Sequence, residues 1–193
     1  MATEKKKSGK YWVTWANVNA KNSLKIDDIE VNFKPKVEAF IKALQDGGAT
    51  VKVKATKRNK KRAYLFHWSW KISLGKCKAA DATILAGVDI DWVHADDAKS
   101  KAAAKELVTG FGLATPPKSV FAPSITSNHI KGKAIDMDIT WEGTIKVKQK
   151  DGTETSVDFN SDVKLNTTLH SIGASYGVKK LLKDAPHWSS DGK

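Results

Sequence analysis

The chain has 193 residues and a formal net charge of +12, from 33 Lys and Arg against 21 Asp and Glu. That length suits one domain with a sizeable core and makes two cramped, and no apolar run is long enough for a membrane-spanning helix. The single cysteine, Cys77, excludes an internal disulfide. The positive charge favours polyanionic partners, either nucleic acid or a bacterial envelope rich in carboxylates and phosphates. The basic runs at 5–7, 57–62, 146–150 and 179–183 carry no zinc-finger spacing and no aromatic-basic recognition module. A solvated face accounts for each of them, and no specific nucleic-acid partner is expected.

Residues 1–10 are basic and polar and read as a disordered lead-in. No apolar stretch follows, so they do not form a secretory signal of the usual kind. Tyr11 to Trp15 is aromatic and β-branched and reads as a strand. Asn17 to Asn32 reads as a polar loop with a short turn. Phe33, Val37, Phe40, Ile41 and Leu44 have helical spacing, and Gly47-Gly48 is the stop. Ala49 to Ala55 alternates as a half-buried strand. Arg62 to Leu74 reads as a helix with Tyr64, Leu65, Trp68 and Ile72 on one side, ended by Gly75.

A turn is expected around Gly87, a helix over Asp97 to Phe111, and a loop at Pro116-Pro117. Lys133 to Trp141 alternates, with Asp136 and Asp138 on one face and Ile135, Met137 and Ile139 on the other. Lys150-Asp-Gly-Thr153 sits between two strand-like runs and predicts a hairpin. Leu165 to Tyr176 reads as a helix, with Gly177 breaking it before a second turn through Leu181-Leu182. The expected fold class is α+β: a single domain over 11–193, with a central antiparallel sheet and flanking helices.

The chemistry concentrates in Ser127-Asn-His129-Ile-Lys-Gly132-Lys-Ala134-Ile-Asp136 and in Asp184-Ala-Pro-His187-Trp188. His129, Asp136 and His187 are a ligand set suited to a catalytic zinc with one open position, although His and Asp do not exclude another divalent ion. His129 and Asp136 are an odd number of positions apart, so a straight strand could not present both on one face. Gly132 permits the bend that this requires. Asp184, beside the last ligand, is placed to act as general base. Trp188 is either a wall beside the metal, where substrate would lie, or ordinary core packing. Cys77 reads as a small buried or half-buried residue rather than a nucleophile. His67, His94 and His170 read as bland or as partners of the ligating rings, and Asp89 and Asp91 as an exposed strand edge or contacts for a substrate ammonium.

The pattern Ser-x-His-x-x-Gly-x-Ala-x-Asp followed by Asp-x-x-His-Trp resembles the zinc D,D-peptidases of peptidoglycan. These include D-alanyl-D-alanine carboxypeptidases, vancomycin-resistance dipeptidases and phage endolysins, and the Hedgehog signalling domain shares their zinc scaffold. Every fixed position of the first motif is filled, and the two motifs with the chain between them span about a third of the sequence. A second likeness lies in 55–65, where the family has a strand ending in a Thr/Arg-containing turn before a helix. The resemblance implies a Hedgehog/D,D-peptidase-like fold, Ser127 contacting substrate or the metal surroundings, and an Arg that stabilises the oxyanion. Arg58 fits that Arg best, with Arg62 competing for the role or contacting substrate.

The function implied is zinc-dependent amide hydrolysis in the stem peptide or cross-bridge of peptidoglycan, of the D,D-carboxypeptidase or endopeptidase type, with L-Ala–D-Glu endopeptidase also open. Lacking a signal, the protein would be made in the cytoplasm and act in the periplasm or cell wall. Lysis would release it as a phage lysin, or injection would deliver it as an antibacterial effector with an immunity protein as partner. Two other readings stay open: a non-catalytic zinc-stabilised cell-wall-binding module, and a basic nucleic-acid-binding protein.

Overall fold

The computed structural model describes residues 5–193 and has an α+β fold with mainly antiparallel sheets. Where the sequence suggests one domain, chain contacts sort the protein into two compact units. One comprises the described residues up to Lys21 with Asn59–Thr126, the other Asn22–Arg58 with Ser127–Lys193.

The first unit is mainly helical. Strand β1 (Lys6–Lys7) pairs in parallel with β3 (Ile90–Asp91). The expected disorder of 1–10 is therefore corrected from Lys6 onward, while residues 1–4 lie outside the described residues. Tyr11–Asn19 is helix α1, not the expected strand. Trp12, Ala16 and Ala20 are buried at intervals of four, so helical burial overrides the β propensity of the aromatic and branched residues.

Helix α3 (Lys60–Ser73) starts at Asn59, whose side chain accepts from the Lys61 N–H at 2.9 Å. Helix α4 (Asp97–Gly110) starts the same way at Asp96, which accepts from the Lys99 N–H at 2.7 Å. Leu65, Trp68 and Ile72 of α3 share one core with Ala104 and Leu107 of α4 and with Trp12.

The second unit contains α2 (Lys34–Asp46), α5 (Thr167–Ser175) and a four-stranded sheet. The strands are β2 (Thr50–Ala55), β4 (Ala134–Thr140), β7 (Lys179–Lys180) and β8 (His187–Ser189), ordered β2-β4-β8-β7 and antiparallel throughout. The expected hairpin forms as β5 (Thr144–Lys148) against β6 (Glu154–Asp158). Lys179–Lys180 is a strand where a helical turn was expected after Gly177.

Phe40 and Leu44 of α2 pack with Ile135 and Met137 of β4, Ile172 of α5 and Trp188 of β8. The alternation read from 133–141 is realised: Ile135, Met137 and Ile139 are buried, and Asp138 faces solvent. Gly173 lets α5 approach the sheet closely, since a Cβ there would fall 2.6 Å from Trp188 Cζ3.

Candidate metal centre

Antiparallel register sets Asp136 of β4 directly opposite His187 of β8. Directly opposed residues project to the same side of a sheet, so the two side chains meet. On its other side Asp136 faces Ala55, where the β2 register slips between Val53 and Ala55. His129 arrives from the turn before β4. The Gly132 N–H donates to the His129 carbonyl, and Gly132 has φ +70°, so the bend expected there is present.

His129 Nδ1 is 2.7 Å from the Thr56 carbonyl, and His187 Nε2 is 3.2 Å from the Lys193 main-chain oxygen. Those oxygens only accept, so these ring nitrogens carry the hydrogens. In the neutral rings, His129 Nε2 and His187 Nδ1 are then both lone-pair atoms. They lie 3.1 Å apart, at 3.1 and 3.0 Å respectively from Asp136 Oδ1. Three acceptors converging in a largely buried site call for a cation, either a proton or a metal ion. His129, Asp136 and His187 could hold a metal ion, with all three ligand atoms within 4.8 Å of one another.

The electrostatics of the metal-free site agree. Burial opposes a charge on His129, but the Asp136 carboxylate outweighs it and raises the ring's pKa above 6.5, with the Arg58 charge pulling the other way. Burial would raise Asp136, yet the adjacent His129 and His187 rings hold it well below the usual carboxylate range.

Arg58 is tied to the site through its own N–H, which donates to the His129 carbonyl at 3.1 Å. Its side chain is half-buried. Ser127 Oγ is buried with no hydrogen-bond partner among the described residues. Asp184 lies exposed on the loop that leads into His187, where its charge acts on Lys180. Arg62 belongs to the other unit, where its guanidinium donates to the Ala16 carbonyl (3.2 Å) and Asn17 Oδ1 (3.0 Å).

Trp188 is fully buried against Phe40, so core packing replaces the reading of it as a substrate-side wall. Of the other histidines, His67 bonds the Pro123 carbonyl, His94 bonds Ser8 Oγ and His170 bonds the Val163 carbonyl. Asp91 is not a free edge carboxylate but is paired with Lys7 at 2.5 Å.

Three contributors were not assigned from sequence: the Thr56 carbonyl, the Lys193 oxygen and Lys180. The first two act through main-chain atoms and leave no side-chain signature. Lys180 sits in a lysine run that reads as solvated, yet it is 8% exposed. Burial pushes its ammonium down to about 8, against the upward pull of Asp184 and Asp136. No protein-family model matches the sequence, and no curated protein matches it.

Proposed function

We propose that the protein is a zinc-dependent peptidoglycan peptidase on a Hedgehog/D,D-peptidase-like scaffold, cleaving an amide bond in the stem peptide or cross-bridge. The supporting observation is the convergence of two imidazole lone pairs and one carboxylate oxygen at 3.0–3.1 Å. Neighbouring ligand atoms of tetrahedral zinc with bonds of about 2.0 Å lie roughly 3.3 Å apart, so the donor set fits that ion closely. When bound, zinc supplies Lewis acidity, which polarises an amide carbonyl and makes water acidic near neutral pH.

The chain's own residues supply the rest. Asp184 removes a proton from the attacking water and delivers it to the leaving amine. Its exposed place on the His187 loop suits a group that must exchange protons. The Arg58 guanidinium stabilises the developing oxyanion. The resemblance gives Ser127 a contact with substrate or with the metal surroundings, and its buried Oγ has no hydrogen-bond partner among the described residues. The Thr56 carbonyl and the Lys193 oxygen keep both rings in the tautomer that leaves the inward nitrogens free. A charge of +12 favours adsorption to an anionic wall.

The test is mass spectrometry of purified sacculi after digestion by the zinc-loaded protein, with His129→Ala as control. New muropeptides from the wild type alone are expected, and their masses identify the cleaved bond. Stoichiometric zinc with no new product would instead favour a metal-stabilised wall-binding module.

A further inference from the structure

We propose that Lys180 is a positioning residue that shapes the metal-site loop by acting as an internal cation for three converging carbonyls. Its Nζ lies 2.8 Å from the Leu181 oxygen, 2.5 Å from the Asp184 oxygen and 2.9 Å from the His187 oxygen. An ammonium has three N–H donors, and all three are used.

The same three residues also bond to one another. The Leu181 N–H donates to the His187 oxygen, the Asp184 N–H to the Leu181 oxygen, and the His187 N–H to the Asp184 oxygen. The loop is thus a closed ring of three main-chain bonds, with each oxygen taking a second hydrogen from Lys180. Carbonyl oxygens gathered around one point repel unless a cation sits among them, as in the carbonyl rings that coordinate ions. Trp188 lies 5.5 Å beneath the ammonium and further favours a positive charge there.

The ring contains Asp184 and His187. Its closure fixes how far the proposed base stands from the ligand, and it aims His187 Nδ1 at Asp136. This role rests on the metal-site reading and is independent of which amide bond is cut.

The test measures zinc affinity without substrate, by competition with a chromogenic chelator. Lys180→Met keeps the unbranched stem and removes the ammonium, and is expected to weaken zinc binding by about tenfold to a hundredfold, as lost support of ligating residues does. Lys180→Ala is expected to lose as much and to regain affinity with added propylammonium, but not with tetramethylammonium, which has no N–H. Wild-type affinity in Lys180→Met, or equal rescue by both ions, overturns the proposal.

Should neither variant fold, acetylation of the native protein decides. Lys180 is expected to stay unmodified while exposed Lys179 and Lys183 react, and equal labelling overturns the role. Because affinity is read without substrate, a wild type that binds zinc but releases no muropeptide removes the peptidase reading alone. A wild type that binds no zinc removes both.

Discussion

At the residue scale the proposed mechanism separates binding from chemistry. His129, Asp136 and His187 are the candidate ligands, whereas Asp184 meets them only through its main chain, whose oxygen accepts from the His187 N–H. Asp184→Ala should therefore lower the rate of muropeptide release by about 10²–10⁴-fold, while zinc stoichiometry measured on the same sample stays at the wild-type level. Protons and metal compete for His129 Nε2. In the metal-free protein the ring is raised above 6.5, so its pairing with Asp136 stabilises the fold below that value and fades as pH rises through the shifted pKa. Zinc binding gains over the same interval, because the competing proton leaves. Thermal melts from about pH 6 to about pH 8 should show the metal-free protein losing stability as the zinc-induced increment grows. Parallel curves with and without metal would contradict this. The three candidate ligands were legible because side chains that bind metal come from a short list of residue types, His and Asp among them. The oxygens of Thr56 and Lys193 were not, because any residue has one.

At the element scale the strands were easier to read than the first helix. Residues 50–55 and 134–140 alternate cleanly and pair with each other, and the pairing of 134–140 with β8 brings Asp136 beside His187. Tyr11 to Trp15 is too short for residue type to separate period two from period 3.6; only Ala16 and Ala20, further along, complete the helical stripe. The bend between His129 and β4 depends on Gly132, where a Cβ would meet the Glu30 nitrogen at 2.9 Å and φ is +70°. Gly132→Ala should destabilise the protein by about 1–2 kcal/mol or more and weaken zinc binding, both readable from melts at graded zinc concentrations. The turn after β8 matters equally, since its Lys193 oxygen receives His187, Ser189 and Asn128. Deleting 191–193 should reduce zinc affinity by about 10–100-fold, measured by chelator competition.

At the scale of the whole molecule, every residue of the candidate centre lies in one of the two units. Chelation should therefore reduce amide protection chiefly in β4, β7 and β8, with α1, α3 and α4 changing far less, as hydrogen exchange with mass spectrometry will show. Saturation at a thousandfold over Kd would add about 4 kcal/mol. The α+β class was legible from alternating strand and helix patterns, but the division into units was not: it depends on which distant segments pack together, and local periodicity carries no such record. The order of segments also has a consequence for biosynthesis. Strand β2 is an edge strand whose sheet neighbour, β4, lies beyond all of 59–126. On the ribosome β2 emerges well before that neighbour and must remain soluble meanwhile. Lys52 and Lys54 point outward between half-buried Val51 and Val53. Charge spaced in this way on an unpaired strand blocks edge-to-edge association, which suits the two lysines to guard a nascent chain whose candidate metal ligands have yet to be translated.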